Sequence, residues 1–161
     1  MRVIVLSDTH KPVSGGWIPE ALLNDLKAAD LIIHVGDATE ESVLDELKEI
    51  SPVEAVAGNM DSPALKKANP IKKILQLGKF KVGLIHGEGS PSCLQAYVQR
   101  IFRNDDVDCI IYGHSHVPCI EEIDGRIYMN PGSSTDEVFA PYRSYGVLEI
   151  GDEITPKIIR L

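Results

Sequence analysis

Seven residues of the kinds that bind divalent cations lie at the ends of short apolar runs. Val3-Ile4-Val5-Leu6 leads into Ser7-Asp8-Thr9-His10, and Leu31-Ile32-Ile33-His34-Val35 leads into Gly36-Asp37. Val53-Glu54-Ala55-Val56-Ala57 leads into Gly58-Asn59-Met60-Asp61, and Lys81-Val82-Gly83-Leu84-Ile85 into His86-Gly87. Cys109-Ile110-Ile111-Tyr112 leads into Gly113-His114-Ser115-His116. The donors are therefore Asp8, His10, Asp37, Asn59, His86, His114 and His116, with no cysteine among them. Carboxylate, amide and imidazole ligands of this intermediate hardness suit Mn²⁺, Fe²⁺, Zn²⁺, Co²⁺ or Ni²⁺ better than an all-oxygen Ca²⁺ site. Seven donors exceed the needs of one tetrahedral zinc and fit two ions that share a carboxylate. Each carboxylate oxygen can hold one cation, whereas a neutral imidazole binds once.

The elements that must position these donors follow from hydrophobic period. Residues 2–6, 30–35 and 53–57 read as strands, separated by helical patterns over 19–29 and 40–50. Strand, helix, strand, helix, strand implies parallel pairing with right-handed crossovers. In such folds ligands collect outside the carboxyl ends of the strands, so the five tips are expected to converge on one crevice. The second half changes character. Residues 72–77 and 79–85 read as a hairpin around Gly78, and 91–102 as a helix. Strands are expected over 108–112, 118–123, 126–130, 145–150 and 155–161, forming a mixed or antiparallel second sheet. The fold class expected is α/β, with two mixed β-sheets packed as a sandwich flanked by helices, in a single domain over 1–161.

Composition narrows the class further. The chain has 161 residues, 43% hydrophobic and 25% charged, with a formal net charge of -8. An acidic surface repels the nucleic-acid backbone, so strong nucleic-acid binding is not expected. Bound cations would still make one cleft locally positive. The three cysteines, Cys93, Cys109 and Cys119, are odd in number and lack close pairing, which disfavours a disulfide framework. No apolar run reaches the ~20 residues of a bilayer span. The first apolar run stops at Ser7-Asp8, too short for a signal peptide. A cytoplasmic protein without a membrane partner is the expectation.

The order D-x-H, G-D, G-N-x-D, H-G, G-H-x-H resembles the calcineurin-like metallophosphoesterase superfamily. Gly58-Asn59-Met60-Asp61 and Asn130-Pro131-Gly132-Ser133 are similar to the endings in its small prokaryotic phosphodiesterase branch. The motifs run from Asp8 to Ser133, most of the chain. The resemblance implies one metal on Asp8, His10, Asp37 and His116, and a second on Asp37, Asn59, His86 and His114, with Asp37 bridging. It implies a binuclear phosphodiesterase acting on a small phosphate ester, with a hydroxide between the ions as nucleophile. Asp37, Asn59, His86 and His114 are its catalytic candidates, and Mn²⁺ the preferred metal, ahead of Ni²⁺, Zn²⁺, Fe²⁺ or Co²⁺. Small members of the family also suggest a homo-oligomer. Many larger members carry a leaving-group His directly after the motif Asn. Here that position is Met60, which cannot donate a proton.

Two rival functions accompany this reading. A eukaryotic retromer subunit of similar motif order works as a protein-interaction scaffold with a degraded metal site, whereas all seven donor positions are competent here. A phosphomonoesterase of the same superfamily is the other alternative. Five further features carry expectations. His34, inside a strand, is read as a hydrogen-bonded core His. Asp61 is a candidate to orient Asn59 or His10. Asn130, ahead of Pro131-Gly132, is expected to cap a turn near the site. The loop over 11–17 is read as a surface loop pinned by Trp17, with a lid as the sharper alternative. Arg143 and the pairs Lys66-Lys67 and Lys72-Lys73 are read as surface cations.

Overall fold

The computed structural model describes residues 1–10 and 17–161. Two five-stranded sheets face each other. The first has the order β10-β9-β1-β2-β3, from β1 (Arg2–Leu6), β2 (Leu31–His34), β3 (Val53–Ala55), β9 (Ser144–Ile150) and β10 (Ile154–Arg160). The second has the order β4-β5-β6-β8-β7, from β4 (Lys72–Leu77), β5 (Phe80–Ile85), β6 (Cys109–Ile111), β7 (Cys119–Ile123) and β8 (Arg126–Asn130). Each sheet has a parallel trio, β1‖β2‖β3 and β5‖β6‖β8, with antiparallel strands outside it.

The apolar runs are continuous because the parallel strands are covered on both faces. On β1, Val3 and Val5 point between the sheets, where they meet Val82, Leu84 and Ile111. Ile4 and Leu6 point the other way, onto α1 (Glu20–Lys27) and α2 (Glu41–Lys48) through Leu22, Leu26, Val43 and Leu47. The second sheet repeats the division. Cys109 and Ile111 of β6 face inward, and Ile110 faces α4 (Pro91–Ile101) through Leu94 and Val98. The period of two thus distributes each strand between a sheet-on-sheet core and a sheet-on-helix core. The expected sandwich of two mixed sheets flanked by helices is the observed fold.

Two details differ from the sequence reading. Residues 144–150 and 154–160 do not join the second sheet; β9 pairs antiparallel with β1 and closes that edge of the first. The second sheet is mixed, one of the two forms expected: β6 lies between β5 and β8 in the same direction, and β4 and β7 pair antiparallel at its edges. A short helix, α3 (Pro63–Ala68), was not expected. It carries one buried apolar residue, Leu65, too few to show a period, although Ser62 caps it through Leu65 N and Pro63 opens it. Among the described residues no helix is long and apolar enough to cross a membrane.

Phe102, fully buried after the end of α4, packs its ring where a Cβ on Gly83 would lie 2.5 Å from Cε1. Phe102→Ala is predicted to lower unfolding free energy by about 3–5 kcal/mol, read from urea denaturation midpoints.

Candidate metal centre

The carboxyl ends of the six parallel strands meet along one edge of the sandwich. Within each sheet the tips are stitched by backbone bonds: Asp8 N donates to Gly36 O at 3.0 Å, and Gly113 N to His86 O at 3.0 Å. Between sheets, His86 Nδ1 donates to Val35 O at 2.7 Å, His114 N to Asp8 Oδ2 at 3.0 Å, and Ser133 Oγ to Asp8 O at 2.7 Å. Asn130 is fully buried; its Nδ2 donates to Gly113 O and its Oδ1 accepts from Gly132 N, so it caps the turn and ties β8 to the β6 tip. The tips can crowd this closely only without side chains at two points. A Cβ on Gly58 would lie 2.2 Å from Asp37 N, and one on Gly113 would lie 1.9 Å from Ser7 Oγ.

All seven predicted donors arrive in this cluster, and most are held by one atom while presenting another. Asp8, with no exposure, accepts at Oδ2 from Ser7 Oγ (2.5 Å) and His114 N, leaving Oδ1 bare. His116 Nε2 and His86 Nε2 stand beside that oxygen at 3.2 and 3.8 Å. Asp37 Oδ1 accepts from Met60 N at 2.6 Å, and Oδ2 lies 3.2 Å from His86 Nε2. The Val35 carbonyl requires the proton on His86 Nδ1, so Nε2 is the nitrogen turned inward. His114 gives its Nε2 proton to Gly89 O at 2.8 Å and turns Nδ1 inward. His116 donates from Nδ1 to Asp136. Asn59 Oδ1 lies 3.0 Å from His114 Nδ1 and 3.1 Å from His86 Nε2. His10 Nε2 is buried with no partner among the described residues.

Backbone conformation carries the same mark. Asp8, Asp37, His114 and His116 have φ of 52°, 55°, 71° and 58°. The left-handed region costs a residue with a side chain on the order of 1 kcal/mol or more, and such conformations cluster at functional sites. Here four of the seven donors adopt it.

The charges are strongly coupled. Burial resists a charge on His86, but Asp37 and Asp8 outweigh it and raise its pKa. The Asp8 carboxylate, against the cost of burial and with help from Asp136, holds His116 protonated up to about 9. Burial would raise Asp37, yet His86 and the Met60 N–H bring it below the usual range. A buried His10 Nε2 without a partner among the described residues, and a buried Asp8 Oδ1 facing the rings of His116 and His86 at 3.2 and 3.8 Å, are groups that a cation replacing ring protons would satisfy. The donor set therefore fits divalent ions. The His and carboxylate groups whose ligand atoms lie within 4.8 Å of one another are Asp8-His10-His116 and Asp8-Asp37-His86. Asp8 is common to both, where the sequence reading shared Asp37.

Other expectations resolve individually. His34 is fully buried, bonded through Nε2 to Thr9 Oγ1 at 2.8 Å, and burial lowers its pKa to about 4. Asp61 accepts from Gly58 N (2.7 Å) and Thr39 N (2.8 Å), fixing the turn that carries Asn59 through its backbone. Trp17 is packed against α1 and α2 and donates to Glu46 at 2.8 Å, so it does not face the cleft. The rest of that loop, 11–16, lies outside the described residues. Arg143 pairs with Glu137 at 3.4 Å, and Lys72 and Lys73 pair with Asp105 and Glu54. Lys66 does more than expected, donating to Asn59 O at 2.7 Å. Sequence reasoning missed Asp136. Its only signal is a carboxylate three residues after Ser133, in a loop otherwise considered for Arg143.

Burial resists the charge on Asp136, but His116 and the N–H groups of Val138 and Phe139 hold its pKa at about 2. As the anchor of a ligand imidazole, it should govern metal affinity. Asp136→Asn is predicted to weaken Mn²⁺ binding by about 10–100-fold in a chelator competition titration; unchanged affinity would remove His116 from the ligand set. Because an incoming cation must displace the His116 proton, affinity should rise with pH and level off above about 9. Calorimetry in buffers of different ionisation enthalpy would count that proton.

Residues 1–153 match the family model for the calcineurin-like phosphoesterase superfamily domain. A probable metallophosphoesterase of Methanothermobacter thermautotrophicus is 37% identical over 162 residues, covering 99% of this chain and 92% of the relative. Vps29 of Entamoeba histolytica, in a structure complexed with zinc, superimposes with a TM-score of 0.75 at 27% identity over 99% of each chain. An archaeal phosphodiesterase superimposes with a TM-score of 0.80 over 100% of both chains, and at 23% identity the likeness is one of fold. By the match across most of its length and its identity to the methanogen relative, the chain belongs to the calcineurin-like phosphoesterase superfamily.

Proposed function

We propose that this chain is a phosphodiesterase that hydrolyses a small phosphate ester with two divalent ions, Mn²⁺ being the first candidate and Ni²⁺, Zn²⁺, Fe²⁺ and Co²⁺ the others. The observation that carries the reading is the convergence of seven candidate donors, with Asp8 Oδ1 buried against the rings of His116 and His86 and His10 Nε2 buried without a partner among the described residues. Asp8, His10, Asp37 and His116 would hold one ion; Asp37, Asn59, His86 and His114 the other. Bound there, the ions would activate a water and neutralise phosphoryl oxygens as charge moves to the leaving group.

The chain's own residues set the conditions. Val35 O and Gly89 O fix the tautomers of His86 and His114, so neither ring must reorient to present its free nitrogen. The Asp37 and Asn59 side chains face an open cleft of about 760 Å³, together with His10, His114 and His116. Met60 also lines that cleft and offers no proton to a leaving group. Acid catalysis ordinarily contributes ~10²–10⁴-fold, so esters of acidic alcohols should react faster than alkyl esters by a margin of that order.

Likeness to Vps29 keeps a protein-interaction scaffold as the second reading. A zinc-complexed Vps29 means that binding an ion does not by itself separate scaffold from enzyme. The complete donor set and the open cleft favour the enzyme. The test is hydrolysis of bis(p-nitrophenyl) phosphate by metal-stripped protein with single metals restored. The expected result is metal-dependent turnover that falls at least ~10²-fold in His86→Ala and in Asp37→Asn. Absence of turnover with every metal, in protein that still binds ions, would give the scaffold reading precedence.

A further inference from the structure

We propose that the apolar rim of the cleft, formed by Met60, Val138 and Phe139, is a subsite for an uncharged aromatic or bulky apolar ester group of the substrate. The proposal rests on the phosphodiesterase reading and adds the substrate class to it.

Val138, Phe139, Ile71 and Met60 are the four most exposed large apolar side chains among the described residues, at 80%, 78%, 72% and 60%. All four border the candidate metal centre. Met60, Val138 and Phe139 line the cleft with His10, Asn59 and His114, and Ile71 lines an adjoining pocket with Asn59 and His86. Scattered single exposed apolar residues are ordinary; their concentration around one site marks a binding surface.

The rim is also held in place. Asp136 Oδ1 accepts from Val138 N at 2.7 Å and Phe139 N at 3.1 Å, and Oδ2 accepts from Ala140 N at 3.1 Å. The same carboxylate holds the His116 ring, and the Phe139 ring meets His116 edge-on with centroids 6.3 Å apart. The backbone that carries an exposed aromatic ring is thus fixed beside a metal-ligand candidate, with the ring against His116. That arrangement lowers the ordering cost of a contact with a bound group.

Charge and size define the occupant. The described cleft-lining residues include no Lys or Arg, and Asp136, bonded to His116, and Glu137, paired with Arg143 at 3.4 Å, lie along the same wall as Phe139. A second anionic group on the ester would meet acidic side chains there, whereas a neutral ring would meet a thioether, a valine and a phenyl face. The volume of about 760 Å³ is that of a small-molecule site and exceeds what a phosphate fills.

The test measures binding by calorimetry on Mn²⁺-loaded protein with diphenyl phosphate, dimethyl phosphate and bis(4-carboxyphenyl) phosphate. The first two share one charge and one phosphoryl group and differ in apolar surface. Diphenyl phosphate should bind about tenfold or more tightly than dimethyl phosphate, and the carboxylated ester should lose that advantage. In the Val138→Ser/Phe139→Ala variant the diphenyl-to-dimethyl ratio should collapse towards unity, with the unfolding midpoint unchanged because both side chains are exposed. Equal affinities in the natural protein, binding of neither ester, or a preference that survives in the variant would each overturn the subsite. Turnover of bis(p-nitrophenyl) phosphate without an aryl preference in binding would overturn the subsite and leave the phosphodiesterase standing. An aryl preference without turnover would do the reverse.

Discussion

The Asp8 carboxylate lies at the tip of β1 with no solvent exposure and one oxygen free of hydrogen bonds. Taking a carboxylate out of water costs several kcal/mol unless opposite charge or donors compensate. Ser7 and the His114 N–H compensate one oxygen. The other lies beside the imidazole rings of His116 and His86, and those rings can either keep protons or give way to cations. Much of the surrounding structure serves this arrangement. Ser133 binds the Asp8 carbonyl, Asn130 holds the Gly113 turn, and Asp136 holds the far side of His116.

The sandwich explains how so many polar groups reach one place. Each sheet delivers three parallel strands whose tips point to the same edge, and the inter-sheet core holds the two sets of tips in contact. The donors then leave their strands through sharp turns, with Asp8, Asp37, His114 and His116 in the left-handed region. Gly58 and Gly113 supply the close approach that these turns need, one against Asp37 and the other against Ser7. Packing and polar bonding thus bear the conformational cost that the site imposes, a pattern expected where function needs a fixed geometry.

What the sequence disclosed and what it hid divide along physical lines. Continuous apolar runs ending in Asp, His or Asn showed the strands and the candidate donors at their tips, because these runs are largely buried and the turns follow them directly. The helices over Glu20–Lys27 and Glu41–Lys48 showed through their apolar period. The partners of β9 could not be read, since its alternation says which face is buried and nothing about which neighbour it pairs with. Asp136 was hidden for a related reason. It reaches His116 across twenty positions through a loop without period, and one of two adjacent carboxylates after a run of Ser and Thr carries no local signal. Asp61 was legible as a supporting residue but not in its mode, because its partners are backbone N–H groups that every residue possesses.

Donors anchored at one atom and open at another would together hold two ions. The most direct measurement is metal stoichiometry, by equilibrium dialysis against Mn²⁺ followed by elemental analysis, on the natural chain and on His86→Ala. The account predicts two ions per chain in the first and one in the second, since the Asp8, His10 and His116 group does not depend on His86. One ion or none in the natural chain, or an unchanged count in the variant, would contradict it.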